Sequence, residues 1–542
     1  MGQRDLHWWQ TRRFVVAMAV LVAVPLVWPT VPPLVDLPGH MGRYRVQLSI
    51  ADHRWLAAWY DFHWQLIGNL GIDLLVVPMA KLFGLELGTK LIVMLIPPLT
   101  VTGLLWIARE VHGRIPATAL FALPLAYGFP FQFGFVNFAL SMALALCLFA
   151  WWLRLARQGR VALRAGVFVP LSCLLWLCHT FGWGVLGVLA FSAEMIRQHD
   201  RAFGETRPGN RVEWSRAEAW RWAEAWVRAG LGVLPLALPL VLMAVWRSGD
   251  HVGGQTFDWF HWRAKIGWVL MILRDRWLAF DVISTAILYL ILFKGFRDPS
   301  IEYSRHLGLS ALFLCLVFLA LPRVVFGSAY ADMRLAPFAI AIAVIAIRPR
   351  RGLSTRGATR LAAAGLVFVA VRMAATTWSF AAFDDSYTRQ LAALDHLPRG
   401  ARLLSFVGET CHNQWAMSRL EHLPALAMVR REAYTNDQWS MAGAQLLTVR
   451  YRAAGHFAHD PSQIVTATQC PREFWRPIAR SLDEFPRDAF DYVWLIRVPP
   501  YDRALERGLV PVWRGPGTSA LFRVDHRVPA ATMPVMLRPP GY

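Results

Sequence analysis

Apolar runs of about 17–25 residues recur along this chain, and they leave it few ways to fold. A run of that length spans a bilayer as a helix, which satisfies its own N–H and C=O groups where hydrocarbon cannot. Runs near 14–32, 90–108, 116–132, 134–153, 162–178, 180–196, 228–246, 277–294, 306–322, 333–348 and 361–379 predict a polytopic α-helical membrane protein with about 11 transmembrane helices. Only 17% of the 542 residues are charged, against roughly 25% in a soluble domain. The 26 Trp and 32 Phe suit rings held at lipid headgroups. A net charge of +20 would suggest nucleic acid in a soluble protein. Here the Arg residues cluster in short loops between apolar runs, so no nucleic acid is expected.

The same clustering orients the chain. Arg4, Arg12 and Arg13 predict a cytoplasmic N-terminus, and the first run lacks a small-residue cleavage site, so it reads as an anchor. Alternation then places Arg109/Arg114, Arg154/Arg157/Arg160, Arg197 through Arg221, Lys294/Arg297 and Arg348/Arg350/Arg351/Arg356 on one side. Leu66–Gly84 is apolar enough to cross, yet it holds Asn69, Asp73 and Lys81, and a crossing there would put the later basic loops outside. It is expected to be re-entrant or interfacial.

Residues 1–380 are therefore read as a transmembrane domain with a long first outer loop, 33–89, and 381–542 as a small soluble α/β domain outside the membrane. Strands are expected at Arg402–Val407, Tyr492–Val498 and Ala520–Val524, with helical connections at Gln390–His396 and Asp502–Arg507. Cys411 and Cys470 fall in that domain, where an oxidising compartment would let them pair. Cys147, Cys173, Cys178 and Cys315 lie in apolar runs and behave as small apolar residues.

Candidate chemistry gathers at the outer ends of the spans. Asp36, followed by Pro38, reads either as a helix cap or as a general base facing an external cavity. His40 and Arg43 follow at i+4 and i+7, so a helix places all three on one face, able to bind phosphate or simply wetted at the headgroups. Asp332 and Arg334 open a late span, either as an interfacial pair with Asp332 as cap, or with Arg334, assisted by Arg323, on an anionic lipid headgroup. His179 lies between two spans, as a satisfied hydrogen-bonder or as part of a site. Asp250, His251, Asp258 and His261 match no zinc spacing and read as a solvated loop; no metal ligands are assigned, and a divalent metal cofactor is left open. The chain has no His-Glu-x-x-His, Walker loop, Gly-x-Ser-x-Gly or Cys-x-x-Cys, which argues against a zinc protease, an ATP-driven pump and a serine hydrolase.

The strings Pro33-Leu-Val-Asp36-Leu-Pro38-Gly-His40, Gly68-Asn-Leu-Gly-Ile-Asp73 and Asp332-Met-Arg334-Leu-Ala-Pro337, with the order anchor, long outer loop, many spans and outer domain, resemble the integral-membrane glycosyltransferases of the GT-C superfamily. The resemblance implies a polyprenyl-phosphate-linked sugar as donor and an envelope glycan, lipid or protein as acceptor, at the outer face of a bacterial inner membrane. It implies Asp36 as catalytic base and Arg334 as a ligand of the donor phosphate. Some relatives carry paired acidic residues in the first loop, and Asp36 has no acidic neighbour in sequence. Two other readings compete: a transporter or flippase of a lipid-linked glycan, which predicts inverted repeats and charges along a path through the bilayer, and a non-enzymatic envelope assembly protein, which predicts that Asp36 is dispensable.

Overall fold

The structure, a computed structural model, describes residues 6–50, 54–204, 215–247, 255–350, 354–411, 414–440, 445–471 and 475–528. Asp52, Asp250, His251 and Arg351 lie outside the described residues. The chain forms two compact units. One holds Met1–Trp28, Leu66–Leu75 and Leu91–Trp378; the other holds Pro29–Gln65, Val76–Lys90 and Ser379–Tyr542. The first boundary differs from the sequence expectation: residues 29–65 of the first loop fold with the C-terminal residues.

The first unit is helical. Leu85–His112, Val136–Arg157, Val161–Cys178, Leu278–Arg297 and Thr355–His396 are long and apolar enough to cross a membrane. Arg216–Leu236 and Leu238–Val245 make a sixth only as a pair bent by 62°. Pro235 and Pro239 flank that break, and each removes a helical N–H. Other expected spans are helical but interrupted or short. Residues 14–32 hold two helices, Arg12–Leu21 and Val24–Val27, broken ahead of Pro25. Residues 116–132 hold a buried 3₁₀ helix, Ala117–Tyr127, and a short α-helix, Phe129–Phe133. Leu66–Gly84 contains a helix of only 13 residues, Gly71–Phe83. That length covers about 20 Å, short of a bilayer. Its Asn69 and Asp73 bond within the helical unit: Asn137 Nδ2 donates to Asp73 Oδ2 at 2.9 Å and to the Asn69 carbonyl at 2.9 Å.

Three ion pairs are buried in this unit, where a low-dielectric interior makes a lone charge costly. Arg164 bonds Glu194, and Arg372 donates to Asp281 at 2.7 Å. Lys265 Nζ lies 3.2 Å from Asp332 Oδ2 and also donates to the carbonyls of Phe318 and Leu321.

The second unit is α/β. Its strands are β1 (Leu403–Gly408), β2 (Ile464–Thr466), β3 (Arg476–Pro477), β4 (Tyr492–Ile496), β5 (Leu509–Arg514) and β6 (Ala520–Val524), in the order β3-β2-β1-β4-β6-β5. The first four are parallel and the last two antiparallel. Phe406, Phe457, Phe490 and Phe522 pack in one core with Val46, Leu56, Trp59 and Tyr60 of the first loop. That loop also adds Tyr60–Phe62 antiparallel to Leu447–Val449. Cys411 and Cys470 form a disulfide. Arg402 grips Asp491 through side chain and backbone. Burial would raise the Asp491 carboxyl, but these bonds and the Arg402 charge hold it below the ordinary range.

Two outcomes follow. Lys265→Met leaves Asp332 buried without its cation and is expected to cost about 3–5 kcal/mol. Thermal unfolding in detergent measures it, and adding Asp332→Leu should restore most of the loss. The Asp491 contribution is complete above about pH 4 and lost as pH falls through the lower folded value. Both side chains are about one-third exposed, so it amounts to no more than about 1 kcal/mol. Asp491→Asn should therefore flatten the acid limb of a melting-temperature profile and leave its neutral shape unchanged.

Candidate functional site

Asp36 begins the helix Leu37–Ser49 in the second unit. It occupies the N-cap position, yet its carboxylate makes no cap hydrogen bond, which corrects the expectation of a capping side chain. Pro38 has already removed one first-turn donor. The helix is drawn close to its neighbours by two glycines. A Cβ on Gly42 would lie 2.9 Å from Gln438 Nε2 and 3.0 Å from both Ala425 and Met428. A Cβ on Gly39 would lie 2.7 Å from the Trp439 ring.

That approach puts Asp36, only 8% exposed, beside residues distant in sequence. His422 Nε2 lies 4.0 Å from Asp36 Oδ1, 3.9 Å from Glu421 Oε1 and 3.9 Å from Asp460 Oδ1. The ring is fixed: His422 Nδ1 sits 3.0 Å from the Asp437 carbonyl and Trp439 packs on it at 4.4 Å. A carbonyl only accepts, so Nδ1 carries a proton, and in the neutral ring Nε2 is left with a lone pair among the three carboxylates. Burial also holds the imidazole below its usual range, toward the neutral form. Gln463 Nε2 donates to Asp460 Oδ1 at 2.8 Å. The Asp437 side chain accepts from Ala425 N and Thr435 Oγ1, which ties down the turn after His422, and burial pushes its carboxyl up to about 7.

Electrostatics in this cluster are unfavourable for full ionisation. Burial, then the charges of Asp460, Asp36 and Glu409, push the Glu421 carboxyl well above the usual range. Burial also raises Glu409. Such a site can retain a proton, take one from a bound hydroxyl, or hold a cation. Acidic neighbours absent from the sequence around Asp36 are thus supplied by the fold. Sequence reasoning missed Glu421, His422 and Asp460, since they form no spaced motif. The one available signal was an acid–imidazole dipeptide in the otherwise apolar stretch Leu420–Leu426.

The other expected residues are distributed as follows. His40 packs near Trp439 at 5.0 Å. Arg43, buried, donates to Gln445 Oε1 at 2.9 Å and lies over the Tyr44 ring. In the helical unit, His179 caps Thr180–Phe203, its Nδ1 accepting from Phe181 N at 3.1 Å. Asp332 pairs with Lys265 and accepts from Trp268 Nε1, so the expected Asp332–Arg334 pair is not formed; residues two apart on a helix do not face each other. Arg334 donates to the Ala329 carbonyl and lies 4.1 Å over the Phe135 ring. Arg323 faces Asp258 at 3.7 Å, and Asp258 also contacts His261 Nδ1 at 3.1 Å. Among the described residues that loop gathers no set of three metal-ligating groups.

Compared with known protein families, characterised proteins and solved structures, the chain matches none.

Gly42→Ala should force overpacking against Ala425 and Met428. The expected cost is about 1–3 kcal/mol, read as a lower melting temperature of the purified protein.

Proposed function

We propose that the protein is an integral-membrane glycosyltransferase of the GT-C type, moving a sugar from a polyprenyl-phosphate donor to an envelope acceptor at the outer face of a bacterial inner membrane. In this reading the helical segments make eleven crossings, counting interrupted ones, with the N-terminus cytoplasmic and the α/β unit outside. The observation that supports it most is the Asp36 carboxylate, which makes no cap bond and is held in an acidic cluster beside a fixed imidazole.

Asp36 takes the proton of the acceptor hydroxyl. The acceptor oxygen bonds to the anomeric carbon from the side opposite the donor phosphate, whose C–O bond breaks with the electron pair leaving on polyprenyl phosphate. The configuration inverts. Phosphate is already a good leaving group, so little acid assistance is required. His40 and Arg43 remain proposed phosphate contacts in the α/β unit. Within the helical unit, Arg334 remains the proposed ligand of an anionic lipid headgroup, with Arg323, Asp332 and His179 shaping its surroundings.

The test is a null strain complemented with wild type or Asp36→Asn at equal protein level, with envelope glycans and lipid-linked sugars read by mass spectrometry. Removing a general base should slow transfer by about 100-fold or more. One sugar should vanish from its acceptor while its lipid-linked donor accumulates. A wild-type profile from Asp36→Asn would remove Asp36 from the chemistry and the reading with it.

A further inference from the structure

We infer that Glu421, His422 and Asp460 bind a divalent transition-metal cation, a property that stands apart from the transferase reading. One ligating atom from each lies within 4.8 Å of the other two. His422 Nε2 is 3.9 Å from each carboxylate oxygen. Ligands at about 2.0–2.2 Å from one cation stand up to about 4 Å apart, so a small contraction closes the set.

The imidazole is the second, independent pointer. His422 is 2% exposed, and among the described residues its Nε2 makes no hydrogen bond. It lies 3.9–4.0 Å from three carboxylate oxygens, close enough for one cation to bridge ring and carboxylates. Its Nδ1–H is anchored on a backbone carbonyl, the arrangement that orients metal-binding histidines and fixes their tautomer. The carboxylates lack another counter-ion: among the described residues, neither Glu421 nor Asp460 lies within 4.0 Å of an Arg or Lys nitrogen.

One imidazole and several carboxylates suit zinc or manganese better than calcium or magnesium, which prefer all-oxygen sites. Asp36 borders the set, its Oδ1 4.0 Å from the same Nε2. A cation there would sit beside the carboxylate to which the transferase reading gives the acceptor proton.

The experiment uses the full chain in detergent, stripped with chelator and dialysed. Zn²⁺ or Mn²⁺ is titrated in by calorimetry, and bound metal is counted by plasma mass spectrometry. Wild type should take up about one ion per chain, and His422→Gln and Asp460→Asn should each weaken binding at least about tenfold. Circular dichroism and gel filtration confirm folding. If His422→Gln does not fold, Asp460→Asn decides, since its side chain is partly exposed and isosteric. Folded wild type that binds neither ion overturns the inference, as do variants that bind like wild type. The two readings fail separately. Metal uptake with an unchanged sugar profile in Asp36→Asn removes the transferase alone; a lost sugar in that variant with no metal in wild type removes the cation alone.

Discussion

A charge taken out of water must be met by an opposite charge, a proton or a cation. In the helical unit three buried pairs do this, each drawn from separate helices. Arg164 meets Glu194, Arg372 meets Asp281, and Lys265 meets Asp332. Each pair fixes how two helices face each other, because slipping either helix would strand a charge. This explains why a unit so apolar keeps fully buried ions at all. Removing one partner of such a pair leaves an uncompensated buried charge, which is strongly destabilising.

The α/β unit departs from that rule where its acids gather. Asp36, Glu421 and Asp460 converge on one histidine, whose burial shifts it toward the neutral form. The departure is built, not accidental to loose loops. Gly39 and Gly42 bring the Asp36 helix against Trp439 and Met428, while Asp437 ties the His422 turn. A fold that spends two glycines and a buried carboxylate to crowd acids together has arranged for something positive, or for a proton, to be there.

How much of this was legible depends on the range of the interaction. Apolar runs are local, and every segment expected to be helical contains helix. Their interruptions were partly legible too, since Pro25, Pro124 and Pro235 stand where helices break or tighten. Strands β1, β4 and β6 carried alternation or apolar runs that a reader can see; β2 and β3 are two or three residues long and owe their existence to pairing with β1 and each other. The folding of the first loop with the C-terminal residues was not legible, because the Tyr60–Val449 pairing and the core shared by Val46 and Phe406 join residues about 360–390 apart. Asp36 stood out locally, whereas its partners did not. Glu421-His422 and Asp460 become a constellation only once a helix and two turns, the second leading into β2, have converged.

That convergence bears on the chemistry expected of Asp36. In sequence it is a solitary acid, a poor setting for handling a cation and an ordinary one for a base. In the structure it shares its surroundings with Glu421 and Asp460 around one imidazole lone pair. A proton on Glu421 relieves that crowding by removing one charge; a divalent ion relieves it by adding two of opposite sign. The two occupants differ in consequence. The proton leaves the cluster able only to exchange protons, while the ion would also polarise any hydroxyl that reaches it. Whichever occupant dominates, the part of the site that sets Asp36's environment belongs to the C-terminal residues, so the chemical character of the first loop is decided by a segment nearly four hundred residues away.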